Sequence, residues 1–234
     1  MLSKKKLLSR FDEFVTGISK EDNFLIMAHG DADGLCSATI ASKALFKIVG
    51  KKPKHYRFMY YGEKNLSKKI PKILKEDKLN KVIVMDWSVD QTPDLVKSIE
   101  KHAEKILILD HHKVYKDMNS KKTLMIKAQW ISSKDGSKYP ATKMCYDLFS
   151  RHASLEELQW VCAVGIIADS SEKAWKNFMD KAFKKYSVKK KKLMRETVFG
   201  KIVEMIEALQ AIGPYKFYSY VDLFFKADVP KKVL

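Results

Sequence analysis

The chain has 234 residues, 46% of them hydrophobic, with 45 Lys and Arg against 28 Asp and Glu and a formal net charge of +17. That size and apolar share fit one ordinary α/β domain with a helical extension and a real core. No apolar run approaches the roughly 20 residues needed to span a bilayer, and the start MLSKKKLLSRFDEF is too acidic and too short in apolar length for a signal peptide.

From Leu2 to Ser19 apolar residues recur at helical spacing, which predicts an amphipathic helix. Phe24 to Ala28 is a short apolar run that reads as a buried strand delivering its end to the turn His29-Gly30-Asp31-Ala32-Asp33-Gly34. A helix is expected from Leu35 to Val49, stopping at Gly50. His55 to Tyr61 reads as a strand, Asn65 to Glu76 as a helix, and Val82 to Met85 as a buried strand ending at Asp86. Thr92-Pro93-Asp94 has the signature of a helix start, and Ile106 to Leu109 is a further buried strand ending at Asp110. After about residue 120 the chain is expected to be mostly helical. Helices are expected from Pro140 through Phe149, from a capping-box-like Ser154 into Asp169, and from Glu172 on to Ile212, broken at Gly213-Pro214. The aromatic stretch from Tyr215 to Phe225 has no firm assignment. It is either a docking surface or part of the chain's own core.

Alternation of strands and helices, with strands that are apolar without alternating, predicts an α/β fold with a mostly parallel sheet flanked by helices. In such sheets ligands sit beyond the C-terminal ends of the strands. Three strand ends here carry acids or histidines: His29/Asp31/Asp33, Asp86, and Asp110/His111/His112. Alternate residues at the end of an extended strand point the same way, so His29, Asp31 and Asp33 are expected to face one pocket. Capping of the next helix is the plainer role open to Asp31 or Asp33. Asp86 and Asp169, taken singly, would equally pass for turn and helix-end acids. Together with Asp169 these residues form a donor set of carboxylates and imidazoles. That set suits two Mn²⁺ ions (Mg²⁺ being an alternative) better than zinc, which favours fewer ligands and often Cys. Two such ions with a bridging carboxylate generate hydroxide at neutral pH and stabilise charge on phosphorus during in-line attack.

The motifs H-x-D-x-D-G (His29 to Gly34), a strand-end Asp (Asp86), D-H-H (Asp110 to His112) and G-x-x-A-D (Gly165 to Asp169) occur in that order. In order and interval this set resembles the DHH phosphoesterases over roughly residues 22–172. The RecJ-like exonuclease branch is suggested by HGDADGLCSA and the Tyr139-Pro140-Ala141-Thr142 helix start. The resemblance implies that His29, Asp31 and Asp86 hold one Mn²⁺, and that Asp33, Asp86, His111 and Asp169 hold the second, with Asp86 as the bridge. It makes Asp110 a supporting acid or an additional ligand and His112 a contact to the scissile phosphate. Asp86, His111 and His112 would be the catalytic centre.

The implied division is a catalytic domain over 1–172 and a helical extension or docking segment over 173–234. That extension is the most basic part, with 15 Lys and Arg against 7 Asp and Glu from residue 171 onward. Its run Lys189-Lys190-Lys191-Lys192 is either a solvated helix face or a substrate phosphate contact. Enzymes of the resembled type grip substrate with a second domain bearing a Gly-Gly-Gly-His-like segment. None is present here, since only Gly200 and Gly213 follow Asp169. A separate partner chain, a shortened chain, or a minimal variant would each account for that, and the split enzyme is the favoured expectation.

The charge surplus points to a polyanionic partner, for which nucleic acid is the usual choice. Cys36, Cys145 and Cys162 form no CxxC pair and read as reduced thiols of a cytoplasmic protein. The leading expectation is therefore a metal-dependent exonuclease on single-stranded DNA or RNA. Alternatives are a phosphodiesterase for short oligonucleotides or cyclic dinucleotides, a soluble pyrophosphatase, and a replication scaffold without catalysis.

Overall fold

The computed structural model describes residues 2–213 and 217–234. A helix α1 (Lys4–Thr16) is capped by Ser3, whose hydroxyl accepts from the Lys6 amide. Five strands then build one sheet: β1 (Phe24–His29), β2 (His55–Met59), β3 (Lys81–Met85), β4 (Lys105–Asp110) and β5 (Thr123–Lys127). Their order is β2-β1-β3-β4-β5, and every neighbouring pair is parallel. Both faces are covered, which is why the strands read as continuous apolar runs. Ile26, Ile83, Leu107 and Ile126 point into one apolar layer, and Leu25, Val82, Ile108 and Met125 into the other.

The helices between strands are α2 (Ala32–Val49), α3 (Leu66–Glu76) and α4 (Pro93–Glu100). After β5 come α5 (Ala128–Ile131), α6 (Ala141–Phe149), α7 (Gln159–Ala168), α8 (Lys176–Lys185), α9 (Val198–Ile212) and α10 (Phe217–Lys226). α3 and α4 pack together on one face of the sheet, while α2, α6 and α7 form the layer on the other.

One expectation is refined and one corrected. The segment after residue 120 is mostly helical, as expected, but Thr123–Lys127 is a fifth strand, and it joins β4 with no helix between them. Its apolar part, Leu124–Ile126, lies between Lys122 and Lys127 and is too short a run to separate strand from helix by periodicity. The correction is at α2, which begins at Ala32 rather than Leu35. Asp31 is its N-cap, with Oδ1 accepting from the Gly34 amide at 2.9 Å, so the helix nucleates inside the HGDADG turn.

The aromatic end packs inward. Phe217 and Phe224 are fully buried, Phe217 edge-on to Phe58 and Phe224 against Trp160. Each such ring stabilises by about 1.5–3 kcal/mol on leaving water. Phe225 lies edge-on to Phe46, and Tyr220 is half-buried against the same core. Tyr215 lies outside the described residues, as does the side chain of Tyr218. The three cysteines are free and buried. Among the described residues no helix is long and apolar enough to cross a membrane.

Candidate metal centre

All the strand-end acids and histidines named above lie at the C-terminal edge of the sheet, but by different routes than strand alternation. His29 is the last residue of β1. Asp31 caps α2, and Asp33 sits in its first turn, so helical rather than extended geometry turns Asp33 inward. Asp31 does two things at once: Oδ1 caps the helix, while Oδ2 lies 2.6 Å from His29 Nδ1. Asp33 is clamped from far along the chain. Its Oδ2 accepts from the Ala141 amide at 2.8 Å and its Oδ1 from the Thr142 amide at 2.9 Å, so it caps α6. The Thr142 hydroxyl also donates to the Asp33 carbonyl at 2.8 Å.

Asp86 follows β3 with φ of 54°, in the left-handed region. Asp and Asn tolerate that region better than other side-chain-bearing residues, and such strain gathers at functional sites. The Asp86 amide is held by the Leu109 carbonyl at 3.0 Å. Its Oδ1 is 3.2 Å from His111 Nε2 and 3.9 Å from His112 Nδ1, and its Oδ2 is 3.8 Å from His29 Nδ1. Asp169, at the C-terminal end of α7, brings Oδ2 to 3.3 Å from His111 Nε2. A carboxylate there meets the negative end of the helix dipole, an arrangement that favours a cation beside it.

Three overlapping triads have one ligand atom each within 4.8 Å of one another: His29, Asp31 and Asp86; Asp33, His111 and Asp169; Asp86, His111 and His112. Asp86 and His111 each belong to two of them. Asp86 Oδ2 and Asp169 Oδ2 are buried without a hydrogen-bond partner, which is costly unless something else satisfies them. Burial, then the neighbouring carboxylates, pushes Asp86 well above the usual carboxylate range and Asp169 up to about 9. Burial likewise raises Asp33 and lowers His111. Such a set fits hard divalent cations, which would replace the protons these groups otherwise keep.

Asp110 stands apart from this set. Its Oδ2 is bonded by Lys127 Nζ, and its Oδ1 accepts from His112 Nδ1 at 2.7 Å and from the His112 amide at 3.3 Å. Both oxygens are engaged within the protein, and Asp110 belongs to none of the three triads. Burial disfavours its charge, but the His112 hydrogen bond and the Lys127 charge outweigh that and hold it down at about 2. Burial also opposes the His112 cation, yet Asp110 prevails and raises that imidazole above its ordinary value.

Lys127 itself escaped the sequence reading. It is fully buried at the end of β5 and also donates to Asp90 at 3.1 Å. Asp90 in turn accepts from the Tyr115 amide at 2.7 Å, which fixes the loop after the two histidines. A lysine ending an apolar run was the available signal, but only a sheet assignment for that run would have made it legible.

The lysine run is placed elsewhere. Lys189–Lys192 lie in the loop between α8 and α9 rather than on a helix face. The preceding Tyr186 bonds to the carbonyls of Glu156 and Glu157, ahead of α7. Asp169 is at the other end of that helix, about 15 Å away at 1.5 Å per residue. Lys190 is paired with Asp180 at 2.6 Å. These lysines are therefore not brought to the cluster.

Gly34 shows how tightly the turn is built, since a Cβ there would overlap the His29 carbonyl and backbone. Gly34→Ala is expected to cost about 3 kcal/mol, because backbone rather than a flexible side chain must move. A melt should show a midpoint about 6–12 °C lower. An unchanged midpoint would mean that the turn yields.

The sequence matches the family model described as DHH family, N-terminal domain, over residues 23–185. No curated protein matches it significantly. Among solved structures, an exonuclease RecJ bound to manganese superposes with a TM-score of 0.66 at 14% identity, covering 100% of this chain and 63% of that one. The DHH domain of a protein described as a member of a family of ribosomal proteins gives 0.67 at 14% identity, covering 89% and 53%. CDC45 from Entamoeba histolytica gives 0.52 at 13%, covering 77% and 38%. This chain thus spans under two thirds of the length of each, and at such identities the likeness is one of fold. The family model is a different kind of match: it takes in more than half of the sequence and all four motifs, and on that ground the chain belongs to the DHH family.

Proposed function

We propose that this chain is a divalent-metal-dependent phosphodiesterase that removes nucleotides from an end of single-stranded DNA or RNA, in the manner of RecJ. The observation that carries this reading is the convergence of His29, Asp31, Asp33, Asp86, His111 and Asp169 at one sheet edge, with two buried carboxylate oxygens left without partners. His29, Asp31 and Asp86 would hold one ion and Asp33, Asp86, His111 and Asp169 the other, two Mn²⁺ in this proposal. Divalent ions held there supply charge stabilisation for an in-line attack on phosphorus. His112, whose pKa Asp110 raises, is suited to hold a phosphoryl oxygen. The net charge of +17 raises the local concentration of a polyanion, and the lysine run contributes to that field from a distance. A non-catalytic scaffold, the alternative reading, has no need of a complete set of donors.

The test is cleavage of end-labelled single strands with Mn²⁺, by this chain alone and with proteins that co-purify from its native cell. Nucleotide release that stops on chelation is expected. No cleavage under either condition, with the chain folded, would reject the reading. Faster turnover of dinucleotides than of long strands would favour the short-oligonucleotide alternative.

Metal addition should also show in stability. The folded-state pKa values of Asp33, Asp86 and Asp169 are raised, so the metal-free native state binds more protons than the unfolded chain. Metal-free stability therefore falls as pH rises from about 4 towards 9. Mn²⁺ replaces those protons, and the rise in melting midpoint on adding it should be larger at pH 8 than at pH 6. A shift independent of pH would count against this ligand set.

A further inference from the structure

The two most exposed aromatic rings among the large hydrophobics of the described residues both flank the cluster. Tyr61, just after β2, is 65% exposed, and Tyr115, in the loop after the two histidines, is 55% exposed. Aromatic rings left in water at one place call for a ligand that covers them. Tyr61 is also pre-oriented. One face lies on Trp87 with ring centroids 5.0 Å apart and planes 26° from parallel, and its ring meets His29 edge-on at 5.1 Å. Trp87 itself is buried, directly follows Asp86, and lies 5.7 Å from His29. The exposed ring is thereby fixed beside two residues of the candidate metal centre.

A cleft of ≈ 1150 Å³ opens from Tyr61 and runs along β2, which is an edge strand. Lys52, Lys54, His55 and Arg57 line it with two acids, Asp222 and Glu63, which pair with Lys52 and Arg57 and leave Lys54 as the cation with no acid partner among the lining residues. Arg57 Nε and the hydroxyl of Tyr60, both on its wall, have no hydrogen-bond partner. An aromatic platform beside a positively charged groove is how proteins hold single strands without reading their sequence.

We infer that Tyr61, backed by Trp87, is the stacking platform for the nucleobase next to the phosphodiester at the metal centre, and that the β2 cleft takes the adjoining single strand. This rests on the nucleic-acid reading above and adds a base-binding subsite to it. A base is the occupant favoured over an apolar peptide because the cleft beside the ring is polar, with cations in excess over acids and two unpartnered polar atoms, Arg57 Nε and the Tyr60 hydroxyl.

The test is equilibrium binding of a labelled oligodeoxynucleotide to the Mn²⁺-loaded full chain, with a non-hydrolysable phosphorothioate at the scissile bond. The intact strand is compared with strands carrying one abasic residue at successive positions. For the wild type, one abasic position should weaken binding about ten-fold. Tyr61→Ala should bind the intact strand about ten-fold more weakly and lose that base dependence. Tyr61→Phe, which keeps the ring, should retain both. A merely structural role for Tyr61 would weaken intact and abasic strands alike in Tyr61→Ala, and that result overturns the subsite. So does an intact strand bound equally by the wild type and Tyr61→Ala. If the wild type binds no strand and cleaves none, the nucleic-acid reading itself fails. If it cleaves but Tyr61→Ala is indistinguishable in binding, only the subsite fails.

Discussion

Asp86→Asn is expected to lower Mn²⁺-dependent hydrolysis by at least about 10³-fold, equivalent to about 4 kcal/mol of transition-state stabilisation. Asp86 is the one carboxylate shared between two of the three triads, within 4 Å of His29, His111 and His112. Neutralising it removes a ligand from both proposed ions rather than from one. Asn is the informative replacement because it keeps the side-chain shape and tolerates the left-handed backbone at this position, so strain does not confuse the result.

The variant should also separate function from stability. In the metal-free chain Asp86 is a buried acid among Asp31, Asp33 and Asp169, and its pKa is raised by burial first and by those charges second. Its ionisation costs stability as pH rises. Removing it should leave the metal-free protein as stable as the wild type or more so at neutral pH, while the Mn²⁺-induced rise in melting midpoint largely disappears. Calorimetry with and without Mn²⁺ reads both quantities. Retained activity would show that Asp86 is no bridge. A large loss of metal-free stability would make it a structural acid instead.

Lys127→Met should destabilise the fold by about 3–5 kcal/mol, the usual cost of leaving buried charges without a partner. Lys127 is fully buried, contacts both Asp90 and Asp110, and donates to the Lys113 carbonyl at 3.2 Å. Met fills a similar volume, so the loss is one of charge and hydrogen bonds rather than packing. At about 2–4 °C per kcal/mol for a chain of this size, the melting midpoint should fall by about 6–20 °C.

The pH dependence gives a second readout. Asp110 has a depressed folded-state pKa of about 2, so its contribution is present above its ordinary value near 4 and is lost as pH falls towards 2. Without Lys127 that acid-side dependence should shrink. Activity should fall as well, because Asp110 orients His112, and Asp90 holds the loop that follows. A midpoint within about 2 °C of wild type, less than 1 kcal/mol, would show that water replaces the ammonium group.

Much of this site was legible in the sequence. The acids and histidines at strand ends were visible because a buried parallel strand is a local feature: a short apolar run, followed by the residues that emerge at its end. Asp31 and Asp33 were found, though through the wrong local geometry. Strand alternation and a helical first turn both bring them inward, and the sequence does not distinguish the two. The aromatic end reads in sequence as either docking surface or core, and in the fold Phe217 and Phe224 pack on Phe58 and Trp160.

By itself the sequence determined the parallel α/β class, the identity of the candidate metal-ligating side chains and their order along the chain. These depend on hydrophobic runs and on chemistry that each residue carries wherever it is placed. Tertiary structure alone decided that Thr123–Lys127 is a strand and that Lys127 neutralises Asp110 from 17 positions away. It also decided that α6 clamps Asp33 across more than 100 residues, and that the lysine run lies beyond the far end of α7. The physical reason is common to all four. A buried ion pair, a cap supplied by a distant helix and the side of the molecule a loop reaches are set by which elements pack together, and pairing between distant segments leaves no period in the local sequence.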